Sequence, residues 1–346
     1  MTKVKRVLVV DDSAYVRKVV TQMLSRSPFL EVVGTARDGK DALEKVEQLN
    51  PDVITCDLIM PEMDGVEFVR EQMKRRHLPI IIMSIANEAA EMALTALELG
   101  AIDFVQKPTA LATDKMLEVS DELLRKVKAA AEIPISRLPA VELRPVPKLA
   151  PVERHANAVD IVVLGISTGG PQALRYLVPQ LPADLRVPLV IVMHMPVGYT
   201  EMYANKVNEL SNLKVSEAKE GDAVLGGSAL VAPAGRHLTF RRNEDGAVVT
   251  HLDVRPFKTL HRPSVDVLFQ SAAEVYGPRV LGVVMTGMGS DGKEGASWIK
   301  ARGGLVYTES EETCVVYGMP RATLEAGLSD RSIPLDQMAQ ALWEVV

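Results

Sequence analysis

Short, unbroken apolar runs recur along the whole chain, and most stop abruptly at a carboxylate, a hydroxyl, a glycine or a histidine. "VKRVLVV" (4–10) runs into Asp11 and Asp12, "DVITCD" (52–57) ends on Asp57, and "PIIIMS" (79–84) ends on Ser84. "DIVVLGI" leads into Ser167, and "VPLVIVMH" (187–194) ends on His194. Runs of this length without polar alternation fit strands covered on both faces, as in a parallel sheet. Ligands of such sheets gather at the C-terminal strand ends. The polar stops are therefore the first candidates for site residues.

Two halves show the pattern. In the first, "EVVGTA" (31–36) and "DFVQKP" (103–108) join the three runs above, with helix-period segments between them. Val16, Val19, Val20, Met23 and Leu24 recur at i, i+3, i+4, i+7 and i+8 and predict one buried stripe. The expectation is an α/β fold: a doubly wound (βα)5 domain over 1–127, its fifth helix running from about Lys115 to Glu132. Prolines then recur through "IPISRLPAVELRPVPKLAPVERHAN", so 128–157 reads as a linker. Residues 158–346 predict a second α/β domain with a mostly parallel sheet, including "RVLGVVMTG" (279–287). An antiparallel hairpin is expected within "SALVAPAGRHLTFRRNEDGAVVTHL", turning at Asp245-Gly246. Helices follow from Ser264 and at "PLDQMAQALWEVV".

At 346 residues the chain exceeds one ordinary core. A net charge of -6 disfavours nucleic acid, which selects a basic face. No apolar run has the length of a membrane span, and "MTKVKRVLVVDD" meets two carboxylates too soon for a signal peptide. Cys56 and Cys314 lie in apolar contexts without metal-type spacing, as buried thiols of a reducing compartment would. The expectation is a cytoplasmic protein, with nothing that demands more than a monomer.

Asp11, Asp12 and Asp57 stand at two strand ends of the first half. Each alone reads as a helix cap or turn former. Together they repel unless a cation neutralises them, and hard oxygens select Mg²⁺. Ser84 adds a hydroxyl and Lys107 a positive charge, so the set would accommodate a phosphoryl group. "VVDDS", "DLIMPEMDG" and "FVQKP" resemble the receiver domain of two-component response regulators over residues 1 to about 125. The resemblance implies Asp57 as phosphoacceptor, with Mg²⁺ held by Asp12, Asp57 and the Ile59 carbonyl and by Asp11 through water. It also implies that Lys107 pairs with the phosphate, Ser84 switches toward it, and Phe104 repacks.

In the second half, Gly165-Ile166-Ser167-Thr168-Gly169 satisfies G-x-S-x-G between a strand and a helix starting near Pro171. A phosphate or dinucleotide turn also uses glycines there, but neither G-x-G-x-x-G nor a P-loop lysine accompanies it. A serine nucleophile needs a base and an orienting acid. His194 ends the next strand, and Asp291 lies in "TGMGSDG" after a further one. Each alone also reads as a satisfied strand-end histidine or a cap of the helix "GKEGASWIKA". The order Ser, His, Asp differs from that of α/β-hydrolases. His77, His155, His237 and His251 are weaker candidates for the base, while His261 rivals His194 as base or substrate contact.

"GISTGGPQAL", "HMPVGYT", "HRPSVDVLF", "TGMGSDGKEG" and "YGMPRA" together resemble the catalytic domain of the chemotaxis protein-glutamate methylesterases of the CheB type. The resemblance implies a serine esterase that hydrolyses glutamate methyl esters on chemoreceptors, releasing methanol, and that in many members deamidates glutamines. Ser167 would be the nucleophile, His194 the general base and acid, and Asp291 the orienter, with N–H groups near Thr168 and Met288 holding the oxyanion. It implies a histidine kinase as phosphodonor, Mg²⁺ for the receiver, no cofactor at the esterase site, and no nucleic acid or membrane insertion. It further implies a receiver that shields the Ser167 site until Asp57 is phosphorylated. The alternative is an output domain that only binds a partner.

Overall fold

The computed structural model describes residues 4–84, 89–107, 113–135, 149, 159–255 and 259–346. The chain divides into two compact units, residues 1–142 and 143–346. Most of the proline-rich stretch read as a linker, and Pro108 and His155, lie outside the described residues.

The first unit runs β1 (Lys5–Val10), α1 (Ala14–Leu24), β2 (Leu30–Ala36), α2 (Gly39–Leu49), β3 (Val53–Asp57), α3 (Gly65–Arg75), β4 (Ile80–Ser84), α4 (Ala90–Glu98), β5 (Asp103–Gln106) and α5 (Thr113–Glu132). Its five strands pair in parallel in the order β2-β1-β3-β4-β5. The doubly wound expectation holds. All five residues of β3 and of β4 are buried, as strands covered on both faces must be. On α1 the expected stripe buries Val20, Met23 and Leu24, while Val16 and Val19 are half-buried. Ser13, Asp38 and Asp64 cap α1, α2 and α3 by accepting a third-residue N–H, which fixes where each strand-end loop turns into helix.

The second unit runs β6 (Ile161–Ile166), α6 (Gly170–Leu177), β7 (Leu189–Met193), α7 (Thr200–Leu210), β8 (Lys214–Glu217), β9 (Ser228–Val231), β10 (His237–Arg242) and β11 (Val248–Asp253). It continues through α8 (Val265–Tyr276), β12 (Val280–Val284), α9 (Lys293–Ala301), β13 (Leu305–Glu309), α10 (Met319–Glu325), β14 (Arg331–Ile333) and α11 (Leu335–Trp343). Seven strands form a parallel sheet in the order β14-β13-β12-β6-β7-β9-β8. β6 lies between β12 and β7, so successive connections leave it in opposite directions. That opens a crevice at its C-terminal end, where ligands of such sheets bind.

One expectation is corrected here. "SALV" does not belong to the antiparallel hairpin: it is β9, parallel to β7 and β8 inside the main sheet. Only β10 and β11 form the hairpin, pairing His237 with Asp253 through Arg242 with Val248. Burial decides between the two pairings, because Ala229, Leu230 and Val231 lie in the core whereas Arg241 and Arg242 are exposed. The hairpin lays Leu238 and Phe240 into the core that Leu268, Phe269 and Ala272 of α8 share with Ile161 and Val163 of β6. Burying a side chain such as Phe269 stabilises the fold by about 1.5–3 kcal/mol. α8 is thus fixed against the central strand.

Candidate functional sites

At the edge of the first sheet, Lys107 reaches two carboxylates. Its Nζ lies 2.6 Å from Oδ2 of Asp57 and 3.0 Å from Oδ2 of Asp11. All three groups are buried. The Asp57 Oδ1 accepts the N–H of Leu58 at 2.7 Å and that of Ile59 at 3.3 Å. Oxygens of Asp11, Asp12 and Asp57 all lie within 4.8 Å of one another. Burial raises the Asp57 and Asp11 carboxyls above their usual range against the opposing pull of Lys107. The ammonium, which burial alone would lower, is raised by the two carboxylates. One cation facing three carboxylates leaves negative charge uncompensated, and the exposed Asp12 opens the cluster to solvent. This donor set fits a hard divalent cation. The Lys107 N–H donates to the Ser84 carbonyl at 2.8 Å, so the hydroxyl-bearing residue adjoins the lysine. Phe104 is buried one strand away.

At the edge of the second sheet the geometry follows from strand register. Ile166 of β6 pairs with Met193 of β7, so Ser167 and His194 are the next residues on adjacent strands. The His194 N–H donates to the Ile166 carbonyl at 3.2 Å. The Ser167 N–H donates to the Thr286 carbonyl just beyond β12 at 2.9 Å. Gly287 permits that approach: a Cβ there would lie 2.8 Å from the Ser167 Cβ and 2.5 Å from Met319 Sδ. Ser167 is 9% exposed and stands just before α6, whose N-terminal N–H groups favour nearby negative charge.

The loop after β12 returns Asp291 to His194, with Oδ2 2.8 Å from Nε2. The same oxygen accepts the Val265 N–H at 2.8 Å, while Oδ1 accepts the Ser264 hydroxyl at 2.8 Å and the Asp266 N–H at 3.0 Å. Burial opposes ionisation of Asp291, yet the His194 ring and the α8 amides hold its carboxyl well below the usual range. An ionised carboxylate only accepts, so Nε2 of a neutral His194 carries the ring proton. Nδ1 is left as the basic lone pair, and it is buried without a hydrogen-bond partner among the described residues. Asp291 does cap a helix, though the helix is α8 rather than the α9 that follows it.

The rival histidines separate cleanly. His261 stacks on His194, with ring centroids 3.8 Å apart and planes 18° from parallel. It therefore belongs to the site wall. His237 is fully buried, and its Nδ1 accepts the Ser264 N–H at 3.3 Å. His251, on the hairpin, contacts Arg241 of the facing strand and Glu220 of the loop between β8 and β9. Met288 is half-buried in the loop that carries Asp291, and Thr168 is buried beside Ser167.

Two supporting residues escape sequence reasoning. Thr286 Oγ1 donates to the Thr168 carbonyl at 2.9 Å and accepts the Val316 N–H at 3.0 Å. Glu309, with no exposed surface, accepts the Thr286 N–H at 2.9 Å and the Thr313 hydroxyl at 3.0 Å. Burial raises its carboxyl to about 7 despite those two donors. In sequence it is one of several acids in "TESEET", and only its place at the end of the apolar "LVYT" hints at burial.

The CheB methylesterase family matches residues 162–342, and the response regulator receiver domain matches residues 7–118. A protein-glutamate methylesterase/protein-glutamine glutaminase of Myxococcus xanthus is 48% identical over 338 residues, covering 97% of each chain. One from Symbiobacterium thermophilum is 45% identical, covering 99% of this chain and 97% of its own. The crystal structure of the Thermotoga maritima CheB methylesterase catalytic domain is 40% identical with a TM-score of 0.53, covering 54% of this chain and 99% of that one.

Proposed function

The chain belongs to the CheB methylesterase family, and from that premise we propose that it is a phosphorylation-activated protein-glutamate methylesterase of chemotactic adaptation. The observation that carries the reading is the His194–Asp291 pair with a basic Nδ1 beside the Ser167 strand end. Nδ1 takes the hydroxyl proton as Ser167 Oγ attacks the ester carbonyl carbon. The tetrahedral oxyanion is held by the N–H groups of Thr168 and Met288, aided by the α6 N-terminus. Collapse expels methanol, which leaves with the proton from Nδ1, and the glutamyl group stays on Ser167. Water, deprotonated by the same nitrogen, then attacks the acyl group, freeing Ser167 and the glutamate carboxylate. Asp291 keeps the ring in its productive tautomer and stabilises the imidazolium of each step. A glutamine amide enters the same sequence with ammonia as leaving group, in keeping with the second activity in the relatives' names.

In the first unit, Asp57 is the residue phosphorylated, by a histidine kinase of the same signalling system. Asp12, Asp57 and the Ile59 carbonyl, with Asp11 beside them, would hold Mg²⁺, which would supply positive charge to offset the acidic cluster and the phosphoryl oxygens. Lys107 pairs with the phosphoryl group, Ser84 turns toward it, and Phe104 repacks in response. The substrates are methylated chemoreceptors, met from the cytoplasm by a monomeric enzyme that inserts into no membrane. Among the described residues no helix is long and apolar enough to cross one.

The test is methanol release from methylated chemoreceptor membranes, using wild type and Ser167→Ala with and without a small phosphodonor plus Mg²⁺. Release that requires Ser167 and rises with the phosphodonor supports both halves of the reading. No release from wild type under any condition overturns the esterase assignment; ammonia release from receptor glutamines then separates a deamidase from an output domain that only binds.

A further inference from the structure

Asp266 is absent from the mechanism above, yet it occupies a specific place behind it. It lies in the first turn of α8, and its Oδ1 accepts the N–H of Gly292 at 2.9 Å and that of Gly295 at 2.7 Å. Those amides belong to the start of α9, whose own cap residue, Gly292, has no side chain to offer. In the other direction, Asp291 accepts the N–H groups of Val265 and Asp266 at the start of α8. The start of α9 is therefore held by an aspartate on α8, and the start of α8 by the aspartate that precedes α9.

We propose that Asp266 is the positioning residue of the catalytic carboxylate: by fixing the Gly292 amide it sets the reach of Asp291 to His194. Gly292 is the residue after Asp291, so holding its N–H restrains the peptide that carries the carboxylate. The approach of the two helices is close enough that a Cβ on Gly295 would lie 2.8 Å from the Asp266 Cα. So short a crossing holds Asp266 against the Gly292 and Gly295 amides, with the Asp291 carboxyl as its other neighbour. Burial raises the Asp266 carboxyl to about 7; the Gly295 N–H opposes the shift and the Asp291 charge adds to it. A neutral acceptor of the same shape should consequently serve in its place.

The inference rests on the esterase reading, and its test separates the two. Full-length wild type, Asp266→Ala and Asp266→Asn would be compared for kcat and KM of ester hydrolysis, and for the His194 ring N–H proton by NMR. That resonance is assigned by its absence in His194→Gln. Native emission from Trp298, which lies on α9, reports that the helix still folds. Asp266→Ala is expected to lower kcat about 10–100-fold, with KM within about twofold and the ring proton lost to solvent exchange. Asp266→Asn keeps the acceptor, so it should retain kcat within about threefold and keep the proton. Should Asp266→Ala not fold, Asp266→Ser takes its place, with the same direction of change. An alanine variant within about twofold of wild type, or alanine and asparagine variants equally impaired with the ring proton intact, would overturn the proposal. Wild type without turnover, but with the ring proton protected and lost in Asp266→Ala, would sink the esterase reading alone.

Discussion

The two units place their polar residues at the same edge of the same kind of sheet and reach opposite electrostatic states. In the first, three carboxylates face one ammonium, and burial together with mutual repulsion leaves the cluster short of positive charge. In the second, Asp291, the ionised partner of His194, receives four donors. In the function proposed above, the first site would be completed by what arrives, a cation and a phosphoryl group. The second already holds its carboxylate in place through donors from the chain, which is where electrostatic preorganisation has its value.

The sharpest way to break this contrast is to strip the second site of its charge. Asp291→Asn presents an amide to a ring nitrogen that has been donating to a carboxylate. We expect kcat to fall about 10⁴-fold, measured as methanol release, while phosphoryl uptake at Asp57 is unaffected. Removing the acceptor on the other side comes next. Asp57→Asn should abolish both phosphoryl incorporation and the rise in methanol release on adding phosphodonor and Mg²⁺, leaving hydrolysis at its unstimulated rate.

A smaller effect comes from Glu309, the acid that the second unit buries without a cation. Its folded carboxyl titrates near 7, above the ordinary value of 4.5. The folded state therefore binds the proton more tightly, and stability is lost as pH rises from about 4.5 to about 7. Glu309→Gln should flatten that slope, worth on the order of 3 kcal/mol. Trp298 and Trp343 are the chain's two tryptophans and both lie in the second unit, so their fluorescence melts follow that unit alone. The smallest effect is on the first unit. Mg²⁺ at ten times its dissociation constant should stabilise it by about 1.4 kcal/mol. Hydrogen exchange at β1 and β3 amides would show the gain in wild type and a weaker one in Asp12→Asn.

Strands were the most legible feature, because a buried parallel strand is a continuous apolar run and its polar stop marks the functional edge. That logic located Asp57, Ser84, Lys107, Ser167 and His194 where the structure has them. It failed at Ser228–Val231, a four-residue run too short for periodicity to tell a sheet strand from a hairpin arm. Asp291 was legible as a partner for His194, but not as the cap of α8. That role depends on two helices meeting that are adjacent only in space. Glu309 and Asp266 were illegible for the same reason: an acid read along the chain looks solvated, and only the packing of its neighbours says otherwise.

The shared capping of α8 and α9 has a consequence for how this enzyme fails. Helix ends fray first and at little free-energy cost, and here the fraying ends hold Asp291, the carboxylate proposed to orient His194. A rise in temperature that loosens the α8 entry releases Asp291 from two of its backbone donors before the sheet melts. Heat inactivation should thus precede unfolding and reverse on cooling, so the protein acts as its own fuse.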